Sequence, residues 1–108
     1  MEIAEELFVA ENINDLETVV YSLRKNIPMP RLYCILFRAL KNRYEIISSC
    51  QLCKGSIPMQ DGIVVGVANG KQEAYSLLAF LVEEALQGQK DLLNPQTWIA
   101  RNTDELNL

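Results

Sequence analysis

The 108-residue chain contains no histidine. That removes both the side chain most often used as a general base near neutral pH and the commonest metal ligand. Long apolar runs are also missing: no stretch approaches the ~20 consecutive apolar residues that a membrane-crossing helix needs. The first residues, Met1-Glu2-Ile3-Ala4-Glu5-Glu6, are acidic where an export signal would be basic. Both features lead to the expectation of a cytoplasmic protein with no membrane partner. Cysteine is scarce and odd in number, at three, which fits reduced thiols better than a disulfide framework. No internal repeat or low-complexity segment occurs.

What remains suits a folded domain. Hydrophobic residues make up 49% and charged residues 22%, which excludes a disordered composition, and the length is that of a single domain over 1–108. Pro28, Pro30, Gly55, Pro58, Gly62, Gly70, Gly88 and Pro95 cut the chain into short segments, as in a compact α+β domain.

Residues 32–40 predict a strand, being aromatic and β-branched around Tyr33, Ile35 and Phe37. Lys41-Asn42-Arg43 is a polar break of hairpin length, and residues 44–52 predict the return strand, with Tyr44, Ile46, Ser48, Cys50 and Leu52 on one face. The nearly continuous apolar run 63–68 predicts a central strand buried on both sides. Residues 71–87 predict the main helix, with Asn69 as cap, Gln72 completing a capping box and Gly88 as the stop. Its core stripe is Ala74, Leu77, Leu78, Leu81 and Ala85. A second, short helix is expected from Pro95, capped by Asn94 and anchored by Trp98 and Ile99.

Residues 14–25 admit two readings. Asn14 with Glu17 mimics a helix cap, and Leu16, Val19, Val20 and Leu23 match a helical face; Thr18-Val19-Val20-Tyr21 prefers a strand. The strand reading pairs 17–25 with 32–40 across Ile27-Pro28-Met29-Pro30. The expected fold is then α+β: a small antiparallel sheet of about four strands packed on a long helix plus a short C-terminal helix.

This order of elements, with the hairpin and the C-terminal Leu93-Asn94-Pro95-Gln96-Thr97-Trp98 turn, resembles small uncharacterised proteins of clostridia and their relatives over roughly the last 90 residues. The resemblance implies no activity.

Cys50-Gln51-Leu52-Cys53-Lys54-Gly55 has the spacing of half a zinc knuckle, with Cys34 as a candidate third ligand. A fourth would have to come from a carboxylate, water or another subunit. The same pair could be a redox couple, but that motif normally sits at a helix start after a strand; if the strand runs through 53, the two thiols point to opposite faces. Cys34 lies in the run Tyr33-Cys34-Ile35-Leu36-Phe37, where a thiol acts as a small hydrophobe. Gly66-Val67-Ala68-Asn69-Gly70-Lys71 falls where phosphates bind, between a strand and a helix. It lacks the four-residue spacing and the Ser or Thr of a P-loop, so Gly70 is assigned to the tight strand-to-helix turn. Glu5/Glu6 and Glu83/Glu84 are adjacent pairs that diverge by about 100° on a helix. Ser48, Ser49, Ser56 and Ser76 have no histidine to activate them. The expectation is a non-enzyme without a cofactor.

Charge is segregated: −6 over residues 1–23, +6 over 24–54 and −4 over 55–108, for a net −4. Arg38, Lys41 and Arg43 cluster at one hairpin end beside Tyr44. Arg24, Lys25 and Arg31 would lie about 25 Å away at the other end, beyond the Debye length, so the two clusters act separately. The acidic pI near 4.8 argues against nucleic acid. On the main helix only Ser76 is polar between Ala74 and Val82, an apolar arc of about 200° that one sheet cannot cover. Phe80 lies outside this arc beside Ser76, Glu83, Glu84 and Gln87; such an aromatic is either covered by Trp98 or is a binding anchor. These features predict a small protein-binding, regulatory module, with Arg38, Lys41, Arg43 and Phe80 as partner-binding residues. Its partner is another protein, and a second copy of the chain would serve to cover the helix. Two alternatives are a phage or mobile-element inhibitor of a host nuclease, of the anti-CRISPR kind, and a metal or redox protein using Cys34, Cys50 and Cys53.

Overall fold

The computed structural model describes residues 2–55 and 61–87. The order is β1 (Ile3–Val9), α1 (Leu16–Arg24), β2 (Leu32–Arg38), β3 (Arg43–Ser48), α2 (Ser49–Cys53), β4 (Gly62–Asn69) and α3 (Lys71–Gln87). The class is α+β. The strands form one sheet in the order β1-β4-β2-β3. β2 is antiparallel to β3 and β4, but β1 runs parallel to β4, so the sheet is mixed where a purely antiparallel one was expected. A helical connection between β1 and β2 leaves room for the late strand β4 to enter between them. Contacts within hairpins, the only ones that sequence order suggests directly, cannot reveal such a pairing.

β2 and β4 are the inner strands and carry most of the core. On one face, Ala74, Leu77 and Leu81 of α3 pack on Ile35, Phe37, Val65 and Ala68. On the other, Val19 and Leu23 of α1 and Leu52 of α2 pack on Leu32, Cys34, Leu36, Val64 and Val67. The strict alternation along β2 follows from the two-residue period of a strand. α3 lies close against the sheet at Gly66. A Cβ there would stand 3.2 Å from the Ile35 side chain and 3.3 Å from both Leu77 and the Phe8 carbonyl oxygen.

Three local expectations are corrected. The segment 17–25 is helical and does not pair with β2, whose two edges are taken by β3 and β4. Asp15, not Asn14, caps it by accepting from the Thr18 backbone N–H at 3.1 Å, and the i, i+4 pair Val19 and Leu23 is buried. The return strand stops at Ser48, not Leu52. Ser48 caps α2 by accepting from the Gln51 backbone N–H at 3.3 Å. The buried Ser49 hydroxyl accepts from the Met29 N–H at 2.9 Å and donates to the Met29 carbonyl at 2.8 Å. At the start of α3, Gly70 supplies the capping carbonyl to the Ala74 N–H at 3.1 Å and has φ +90° with no neighbour within 4 Å of a Cβ. The glycine is required by the turn, as the sequence indicated. Asn69 is used elsewhere. The Gly88 stop and the helix from Pro95 with Trp98 and Ile99 lie outside the described residues, as does the Ala85 side chain.

Candidate functional site

β1 does not end at its last paired residue. The Ala10 N–H donates to the Val67 carbonyl at 3.1 Å, and the chain then turns, with the Ile13 N–H donating to the Ala10 carbonyl at 3.1 Å. Asn12 and Asn69 clasp this turn to the end of β4. The Asn12 side-chain amide donates to the Asn69 carbonyl at 2.6 Å, the Asn69 N–H to the Asn12 side-chain oxygen at 3.1 Å, and the Asn69 side-chain amide to the Asn12 carbonyl at 2.9 Å. Part-buried and reciprocal, these bonds fix the end of β1 against the first turns of α3.

A cleft of about 330 Å³ lies between the two, with Phe8, Ala10, Leu77 and Phe80 among its apolar walls and Glu11, Glu73 and Ser76 among its polar ones. The Phe8 and Phe80 rings meet edge to face, with centroids 6.4 Å apart and planes at 69°. Phe80 remains 51% exposed, and Tyr75, on the adjoining side of α3, 55%. The cleft therefore offers an aromatic wall with two carboxylates among its lining groups.

The basic hairpin end is a different place. Arg38 pairs in register with Gly62 at the start of β4, whereas Val9 pairs with Val67 near its end. The cleft and the hairpin end are thus at opposite ends of the sheet, and the structure does not bring Phe80 together with Arg38, Lys41 and Arg43. Nor are the three cations equivalent. Arg38 is only 6% exposed; it donates to Glu45 at 2.8 Å and to Asp61 at 3.2 Å. Arg43 donates to the other Glu45 oxygen at 2.6 Å. Hydrogen bonds from Arg38 and then Arg43 hold the Glu45 carboxyl below its ordinary range. Arg38 is consequently an internal counter-ion beyond a partner's reach, while Lys41 and Arg43 stay exposed.

The cysteines divide as well. Cys34 is fully buried in β2, and burial pushes its thiol up to about 12. Cys50 and Cys53 are half-buried, one turn apart on α2. Burial, and secondly Cys50, push the Cys53 thiol up. Among the described residues no three Cys, Asp or Glu side chains are grouped to hold a metal ion, so Cys34, Cys50 and Cys53 are not assembled as a ligand set.

No described helix is long and apolar enough to cross a membrane. Comparison with protein-family models, curated proteins and solved structures finds no match.

Phe80 was legible in the sequence as an aromatic on a polar helix face. Phe8, Glu11 and Glu73 carried no such signal, because they become neighbours only when β1 is laid beside β4. The Asn12–Asn69 clasp was hidden for the same reason: its two residues are 57 positions apart.

Proposed function

We propose that the chain is a small protein-binding module without catalytic machinery, and that it binds through the cleft between β1 and α3. The observation that carries this reading is the half-exposed Phe80 on the wall of a cleft also lined by Glu11 and Glu73. Aromatic side chains are enriched at protein interfaces, where burial on binding makes them anchors, and two carboxylates favour a basic partner and disfavour an acidic one. The occupant is therefore a segment carrying an apolar or aromatic side chain flanked by Lys or Arg. The exposed hairpin cations Lys41 and Arg43, at the far end of the sheet, are too distant to orient that segment, and serve at most a second contact on a large partner.

The test is selection of random peptides displayed on phage against the full chain. Enriched sequences should combine an aromatic or aliphatic residue with basic neighbours. Binding should fall at least about tenfold for Phe80→Ala, and Glu73→Lys should weaken it more at low than at high salt. Phe80→Ala should remain folded, losing roughly 1–2 kcal/mol for a side chain half removed from water. Enrichment of acidic peptides, or of peptides indifferent to both changes, would refute the assignment of the cleft.

A further inference from the structure

The strand-to-helix junction at Ser48 changes what the Cys-x-x-Cys segment can do. Had β3 continued through Cys53, alternation would have sent the two thiols to opposite faces of the sheet. Instead α2 begins at Ser49, and Cys50 and Cys53 occupy i and i+3 of one helical turn. Helical geometry puts their Cα atoms about 5 Å apart, inside the roughly 4.4–6.8 Å range of disulfides. Both cysteines are half-buried, whereas Cys34 is fully buried in β2. We propose that Cys50 and Cys53 form a reversible thiol–disulfide couple within α2, with the buried Cys34 taking no part.

The surroundings suit such a couple. Ser49 ties the turn to Met29 through two hydrogen bonds, and Leu52 anchors it in the core. These two inward-facing residues alternate with the two thiols, so the bond can close without uncovering the core. The turn must tighten, because i, i+3 Cβ atoms in a regular helix are about 5–6 Å apart and a disulfide needs about 3.5–4.5 Å. Gly55, at φ +72° immediately after the turn, leaves its end unencumbered. A bond closed against this resistance is easily reduced, which is the property of regulatory rather than structural disulfides.

The chemistry balances with a low-molecular-weight disulfide, such as oxidised glutathione, as oxidant. The thiolate of one of the pair attacks one sulfur of that molecule and expels one glutathione thiolate, leaving a mixed disulfide on that cysteine. The thiolate of the other then attacks that protein sulfur and expels the second glutathione. The protein loses two protons and two electrons, and two reduced glutathiones carry them away. Cys34, fully buried in β2, is shielded from that oxidant.

Tryptic masses read the outcome directly, because residues 32–38 carry Cys34 alone and residues 44–54 carry both Cys50 and Cys53. The full chain is equilibrated in glutathione buffers of rising oxidised-to-reduced ratio, then denatured and alkylated. Peptide 44–54 should pass from doubly alkylated to unalkylated and internally linked, returning when the ratio is reversed, while peptide 32–38 stays alkylated throughout. Cys53→Ser and Cys50→Ser should each stop at a glutathione adduct on the remaining thiol of the pair. A cross-link between the two peptides, a wild-type protein that halts at the adduct, or double alkylation at every ratio would each overturn the proposal. Circular dichroism of each variant checks that the comparison is made between folded proteins.

Discussion

Tyr44 shows how a single residue's role depends on which of its atoms is considered. Its ring packs on Phe37 with centroids 5.5 Å apart, which secures the edge strand β3 to the interior strand β2. Its hydroxyl is buried with no hydrogen-bond partner among the described residues, and the same burial pushes its pKa up to about 12. An unpaired buried hydroxyl costs desolvation and returns nothing. Tyr44→Phe should therefore keep the ring contact and leave stability equal or raise it by about 1 kcal/mol, as read from urea unfolding midpoints. A loss of that size instead would show that the hydroxyl has a partner. Arg38 makes the opposite case. It is as buried as a core residue, yet both Glu45 and Asp61 meet its guanidinium, and Asp61 also accepts from the Leu40 N–H at 3.3 Å. A run of basic residues that looked like a surface patch is in part a neutralised cluster bracing the hairpin.

At the scale of elements, α1 shows tertiary context overriding local preference. Thr18-Val19-Val20-Tyr21 is a strand-forming run, but Asp15 caps a helix and the four-residue spacing of Val19 and Leu23 sets both on the sheet. Leu23 is fully buried, whereas Tyr21 is 59% exposed. Leu23→Ala should cost about 2–5 kcal/mol, while Tyr21→Ala should cost no more than about 1 kcal/mol, in the same unfolding measurement. Near-equal losses would restore the alternating, strand-like reading. β1 was not legible for a related reason. Its register shifts between Ile3 and Phe8, so its apolar residues do not alternate. Glu5 and Glu6 are exposed in its middle, a common protection for an edge strand. β2, β4 and α3 were legible because each has a single strong pattern: β-branched and aromatic alternation, a continuous apolar run between glycines, and a stripe at helical spacing.

For the molecule as a whole, the ionised carboxylates set the response to acid. Glu45, through Arg38 and Arg43, is held below its ordinary value of 4.5, and Asp15, through Thr18, below 3.8. The unfolded chain therefore takes up these protons at a higher pH than the folded one. Their contribution is complete above about pH 4.5 and is lost as pH falls through the ordinary values toward the lowered ones. Unfolding midpoints should be flat from neutrality to about pH 5 and then decline. Glu45→Gln should be less stable at neutral pH and show a shallower acid decline. An unchanged decline in that variant would remove Glu45 from the acid response.

The sequence by itself determined the α+β class, the existence of β2, the central place of β4, the span of α3 with the buried Ala74, Leu77 and Leu81 of its stripe, and the need for glycine at position 70, since each follows from local periodicity or backbone sterics. It also singled out Phe80 as an aromatic out of place and Cys50-x-x-Cys53 as a spacing worth attention. Only the tertiary structure decided that β1 lies parallel to β4, that α1 and α2 cover the face opposite α3, that Arg38 is internal, and that the cysteine pair sits on a helical turn. Each of these depends on contacts between residues far apart in the chain: Ile3 with Val64, Arg38 with Asp61, Ser49 with Met29, Asn12 with Asn69. Local preferences leave such contacts open, and the burial of two sheet faces at once selects among them.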